Sequence, residues 1–149
     1  MDNQLSDNLI ASFVFYPDTS GKKNKPPVPS INEYYSLANA AMRSRGRSGM
    51  FAAQNFIRDW RQKAFLLANQ YYLGNLIGPS MVERARVEVI IYWPNKRRRD
   101  IVNLFYKAIL DGFTDAGVWT DDSVIEIFTI RLGGIDKENP RVVFNIYSL

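Results

Sequence analysis

The chain has 149 residues, 46% hydrophobic and 23% charged, with a formal net charge of +4. That length and composition fit one globular domain burying its own core, and no apolar run approaches the roughly 18 residues of a membrane span. With neither cysteine nor histidine, disulfides, thiolate zinc sites and imidazole acid–base chemistry are excluded.

Any catalysis therefore falls to carboxylates, lysine, hydroxyls or a bound hard cation, magnesium or manganese. The opening MDNQLSDNLIASFVF is acidic and lacks the basic region of a signal peptide, so the expected compartment is the cytoplasm.

In chain order, residues 8 to 16 (NLIASFVFY) alternate loosely and are rich in Phe, Val and Ile, which predicts a first strand ended by Pro17. Residues 17 to 30 hold four of the seven prolines and three lysines. They read as a loop, because proline cannot join a ladder, and the lysines as solubilising charge. Ser30 followed by Glu33 is a capping-box pattern that opens a short helix over 31 to 42. The polar RSRGRSG follows, and its Arg43, Arg45 and Arg47 suit a loop that orders on a phosphate backbone.

Residues 51 to 72 carry Phe51, Phe56, Ile57, Trp60, Ala64, Phe65, Leu67 and Tyr71 close to the 3.6-residue period. They predict a long helix with this stripe in the core, ended by Gly74. Residues 82 to 93 alternate and then become continuously apolar, which predicts a strand with one solvated and one buried end, stopped by Pro94. Residues 123 to 132 and 141 to 147 read as two more strands, with GGIDKENP as a hairpin loop between them. The order β, α, α, β, α, β, β makes an α+β domain: a mixed sheet of about four strands with three helices.

Charge is segregated. Residues 1 to 99 hold fifteen Lys and Arg against seven Asp and Glu, whereas residues 100 to 126 hold six acids and one base, Lys107. The switch falls at NKRRRD, residues 95 to 100. On one helix over 100 to 115, at about 100° per residue, Asp100, Asn103, Lys107 and Asp111 fall within roughly 80°. Ile101, Val102, Phe105, Ile109 and Phe113 fall on the other side and are expected in the core. Asp121 and Asp122, at the head of the next strand, should point in opposite directions. One then faces a site with Asp100, and the other is left to bind a second cation, cap a turn or face solvent. Basic residues that hold a polyanion, beside carboxylates that hold divalent metal, suggest hydrolysis of phosphate esters.

These residues resemble the RusA family of Holliday junction resolvases, found in bacteria and their phages. The family pattern is a basic run ending in Asp-x-Asp-Asn, a lysine, Asp-Ala/Gly-Leu, Ala-Gly and a closing Asp-Asp. Here it reads RRRD (97–100), Asn103, Lys107, DGF (111–113), DAG (115–117) and WTDD (119–122). PSINEYYS (29–36) resembles the family's entry segment. The resemblance implies a single nuclease domain over 1–149 and a homodimer that binds four-way DNA junctions and cuts them symmetrically with Mg2+ or Mn2+. It implies Asp100, Lys107 and Asp122 as catalytic residues and Asp100, Asn103, Asp121 and Asp122 as metal ligands. Arg43, Arg45, Arg47, Arg97, Arg98 and Arg99 then serve as phosphate contacts.

One departure stands out. Two residues after Asp100, where the family has its second aspartate, this chain has Val102. Counted back from Lys107, that position is Asn103. An asparagine oxygen ligates a hard cation without bringing charge, which implies weaker metal binding. The alternative reading is a structure-selective DNA binder of the same fold that no longer cuts. A third is a structural domain whose charge pattern is incidental.

Overall fold

A computed structural model describes residues 8–22, 25–43, 48–79 and 81–149. The elements run β-α-α-β-α-β-β as expected, with two single 3-10 turns added. The chain divides into two compact units, one from Met1–Pro27, Ser80–Arg99 and Gly117–Leu149, the other from Val28–Pro79 and Asp100–Ala116.

The first unit is a four-stranded sheet of β1 (Asn8–Phe15), β2 (Ala85–Trp93), β3 (Ile125–Ile135) and β4 (Arg141–Ser148). The strand order is β1-β4-β2-β3, antiparallel except for the parallel β2–β3 pair. Side chains alternate across the pleat, so three apolar rows cross the sheet. Ala11, Ile146, Val87 and Phe128 stand in register, as do Phe13, Phe144, Val89 and Ile130, and Phe15, Val142, Ile91 and Leu132. The β1, β4 and β2 members of every row are buried, as is Trp119, the largest fully buried side chain. On the opposite face Ser12 Oγ donates to Asn145 Oδ1 at 2.8 Å and Asn145 Nδ2 to Glu88 Oε1 at 3.3 Å.

The expected hairpin between the last two strands does not form, since β3 and β4 are not neighbours. The physical reason lies in β2. Val89, Ile90 and Ile91 are all buried, and a strand apolar on both faces is best covered with a neighbour on each edge. The β3–β4 connection therefore steps over the end of β2, where the Asp136 N–H donates to the Trp93 carbonyl at 2.8 Å. Gly133 and Gly134 belong to β3 and not to the turn. A Cβ on Gly133 would sit 2.6 Å from the Tyr92 ring, and Gly134 has φ +130°.

The second unit holds α1 (Ile31–Arg43), α2 (Ser48–Gly74) and α3 (Lys107–Asp115). Ser30 caps α1 by accepting from the Asn32 N–H at 3.1 Å. Among the described residues of α2, Ala53, Ala64, Ala68 and Tyr72 are buried, whereas Phe51 is exposed and Phe56, Ile57, Trp60, Phe65, Leu67 and Tyr71 are half-buried. The aromatic stripe is thus a flank of the core and not its centre. The cause is close helix approach: a Cβ on Gly112 of α3 would lie 2.6 Å from the Ala64 Cβ and would collide with the Arg61 carbonyl. Arg61 then reaches Asp115 with two bonds, Nε–Oδ2 at 2.5 Å and Nη2–Oδ1 at 2.7 Å.

Gly112→Ala is expected to destabilise the protein by about 1–3 kcal/mol, because both colliding groups belong to the opposing helix; the shift in urea midpoint measures it. The Arg61 hydrogen bonds hold the Asp115 carboxyl below its ordinary range. A depressed carboxylate stabilises the fold above the ordinary carboxylate pKa, and that contribution disappears as pH falls through the depressed value. With the two side chains 47% and 37% exposed, solvent screening keeps the effect below about 1 kcal/mol. Asp115→Asn should flatten the acid limb of stability against pH by that amount.

Candidate active site

The basic run follows the end of β2. Arg97 N–H donates to Asn95 Oδ1 at 3.0 Å, and Arg99 Nη1 donates to the carbonyls of Asn95 and Arg97 at 3.2 and 3.1 Å. The Arg99 guanidinium also lies 4.7 Å from the centre of the Trp93 ring. Arg99 therefore ties down its own turn, while Lys96, Arg97 and Arg98 stand exposed. Asn95 and Trp93 are the residues that sequence reasoning missed here. An asparagine two residues before the arginine it binds is the signal of an Asx turn.

The acidic pair sits in the same unit. It does not head a strand as expected. Asp121 is extended and opens a 3-10 turn, Asp122–Val124, and β3 begins only at Ile125. Asp121 thus stands ahead of the turn in extended backbone, and Asp122 is the turn's first residue. Ser123 Oγ donates to Asp121 Oδ2 at 2.9 Å. That hydroxyl, ahead of a bond from Asp122, holds the Asp121 carboxyl below its usual range. Asp122 is half-buried. Ser123 was legible only as an Asp-x-Ser pattern.

In the second unit the single helix over 100 to 115 does not form. Asp100 caps a 3-10 turn, Ile101–Asn103, and Leu104 is extended at φ −81°, ψ 145°. The chain bridges there: Leu104 pairs with Ser30, and the Phe105 N–H donates to the Pro29 carbonyl at 2.7 Å. The Phe105 ring stacks on Tyr34 at 5.4 Å. A helix could not continue through an N–H already given to another segment. The Tyr106 hydroxyl donates to the Ile101 carbonyl at 2.9 Å, and burial pushes that phenol up to about 12. Helix α3 starts only at Lys107.

The break changes the polar stripe. Asp100 Oδ1 accepts from the Val102 N–H at 3.0 Å, and Oδ2 accepts from Asn103 Nδ2 at 3.0 Å. Val102 is 76% exposed; the expectation that it points into the core is wrong, because the tight turn swings it to solvent. Asn103 stands beside Asp100. Lys107 Nζ binds Asp111 Oδ1 at 2.9 Å, one turn along α3. Arg43 is exposed at the end of α1; Arg45 and Arg47 lie outside the described residues.

The donor chemistry fits a hard cation. Within each unit, among the described residues, no group of three or more carboxylates comes together. The Asp100–Asn103 pair nevertheless needs only a half-turn of the amide to bring Asn103 Oδ1 beside Asp100 Oδ2, placing two oxygens side by side.

Cationic side chains leading into exposed oxygen donors are the chemical makings of a protein that works on phosphate esters. The chain matches the family model described as endodeoxyribonuclease RusA over residues 24–147. It is 35% identical over 100 residues to the crossover junction endodeoxyribonuclease RusA of Escherichia coli (strain K12), a stretch covering 67% of this chain and 72% of that protein. The corresponding protein of Enterobacteria phage 82 is 29% identical over 100 residues, with the same coverage. That of Aquifex aeolicus (strain VF5) is 27% identical over 124 residues, covering 83% of this chain and 86% of the relative. The chain belongs to the RusA family.

Asparagine caps a turn as well as aspartate does, and alanine does not. Asp100→Asn is therefore expected to unfold within about 0.5 kcal/mol of the parent, and Asp100→Ala about 1 kcal/mol below it, by urea titration.

Proposed function

We propose that this protein is an endodeoxyribonuclease that binds four-way DNA junctions and resolves them by symmetric hydrolysis of phosphodiesters, as a single nuclease domain working in a homodimer. The family match over residues 24–147 carries this reading. The exposed cations of the basic run and the oxygen pair at Asp100 and Asn103 support it. Among the described residues no helix is long and apolar enough to cross a membrane, and a DNA substrate puts the working compartment in the bacterial cytoplasm.

In this reading Asp100, Asn103, Asp121 and Asp122 hold Mg2+ or Mn2+. When bound, the cation supplies Lewis acidity at the scissile phosphate. Lys96, Arg97 and Arg98 bind flanking phosphates, as do Arg43, Arg45 and Arg47, while Arg99 keeps their turn in shape. The Ser123 hydroxyl donates to Asp121 and lowers its pKa. The Lys107 ammonium, steadied by Asp111, stabilises charge that develops on the phosphate in the transition state.

Asn103 favours a second reading, a junction binder that does not cut. A neutral amide beside Asp100 leaves the site one negative charge short of a dicarboxylate.

A synthetic four-way junction with magnesium or manganese tests both. The parent is expected to nick opposing strands, and Asp100→Asn to lose cleavage by at least about 100-fold, an effect of a few kcal/mol on the transition state. Its junction affinity should stay within about twofold, because phosphate contacts dominate binding. Wild-type cutting by Asp100→Asn would remove Asp100 from the site. A parent that binds without cutting, and cuts after Asn103→Asp, would establish the second reading.

A further inference from the structure

We propose that the outer edge of β3 is the surface through which two copies of this chain join, antiparallel and in one register centred on Ile130. This rests on the reading of the protein as a homodimer and supplies the surface that reading lacks.

β3 ends the sheet order, so among the described residues one side of its backbone pairs with no strand. Open edges are templates for another strand, and proteins that act alone guard them with lysine, proline or short length. β3 is eleven residues long, IEIFTIRLGGI, with neither lysine nor proline. Its two charges are already engaged within the chain. Glu126 accepts two bonds from Arg84, at 2.7 and 2.8 Å, and Arg131 Nε lies 3.6 Å from Glu88 Oε2. Phe128, Ile130 and Leu132 continue the three apolar rows that are buried on the other strands, yet Phe128 is 37% and Leu132 56% exposed. On the opposite face Ile127 is 44% exposed.

The register points to a second copy of this chain. β3 carries two bulges: Glu126 is the extra residue between the pairs Ala85–Ile125 and Arg86–Ile127, and Gly133 between Ile91–Leu132 and Tyr92–Gly134. The regular stretch between them is Ile127–Leu132. A twofold axis that joins two antiparallel copies into one sheet passes where a residue faces its own copy. Centred on Ile130, Phe128 faces Leu132, Ile130 faces Ile130 and Leu132 faces Phe128, an apolar row matched along its length. On the other face Arg131 meets Thr129. Centring on Thr129 would set Ile127 against Arg131, centring on Arg131 would oppose two arginines, and centring on Phe128 would set Glu126 against Ile130. The bulges bound that regular stretch on both sides, and because a twofold contact uses the same edge of both copies, association through it closes at two.

Phe128→Lys and Leu132→Glu, made singly and together and followed by sedimentation equilibrium, test the register. Each single change sets a charge against an apolar partner in two symmetric pairs and should raise the dimer dissociation constant at least about tenfold. The double variant should recover most of that loss, since each introduced ammonium then faces the other copy's introduced carboxylate. The two positions lie about 13 Å apart on one strand, too far to compensate each other within a copy. Independently, Ile130→Cys in this cysteine-free chain should give a covalent dimer on oxidation, whereas Leu9→Cys on β1 should not. A dimeric parent whose Ile130→Cys variant fails to cross-link, or whose double variant is no better than the singles, overturns the β3 surface and leaves the homodimer standing. A parent that is monomeric at micromolar concentration overturns both.

Discussion

The bond from the Phe105 N–H to the Pro29 carbonyl, 2.7 Å long, governs how the central stretch is shaped. It takes a donor that a continuous helix would have used. The chain before it must therefore close on itself, and does so as a turn capped by Asp100. The chain after it restarts as α3, with Lys107 as the first residue and Asp111 one turn behind. Aspartate, asparagine and lysine are presented by a turn and a helix N-terminus and not by one helix face. The Tyr34–Phe105 stack then gives the crossing point an apolar anchor, so the geometry does not depend on a single hydrogen bond.

The sheet follows a comparable logic at larger scale. Among the described residues β2 is the only strand with consecutive buried residues on both faces, Val89, Ile90 and Ile91, and it sits between β4 and β3. That placement forces the last connection over the end of β2, where Asp136 bonds the Trp93 carbonyl and Arg141 bonds Asp136 at 2.8 Å. The Arg141 guanidinium also lies over the Tyr92 ring at 3.9 Å. One strand's hydrophobicity thus decides the strand order, and a small cluster of arginine, aspartate and aromatic rings secures the detour.

The elements themselves were legible from period and punctuation, because alternation in NLIASFVF and the 3.6-residue rhythm of the long helix are local signals. The Ser30 cap was legible for the same reason. Strand neighbours were not, since pairing is decided by which strand needs two covered edges. The break after Asn103 was invisible because its cause, Pro29, lies about seventy residues upstream in sequence. Val102 shows the cost of that: a helix wheel drawn through the break turned an exposed residue inward. Asn103 does bond Asp100, but through the tight turn and not along the helix face that was expected to align them. The ties made by Asn95 and Ser123 lie within two residues of their partners, and Asx and hydroxyl turn patterns could have found them.

Asp100 is held to two separate requirements. Both its oxygens are committed to shaping the turn, whatever else the carboxylate does. Selection for folding alone would retain an oxygen-bearing side chain there, even in a lineage that had stopped cutting DNA. Asn103 is under no equal constraint from the backbone, because its amide reaches only a side chain. In descendants of such a chain, position 103 is free to drift before position 100, because only the Asp100 side chain accepts a backbone N–H of the turn. The turn alone is thus enough to explain an oxygen-bearing residue at position 100.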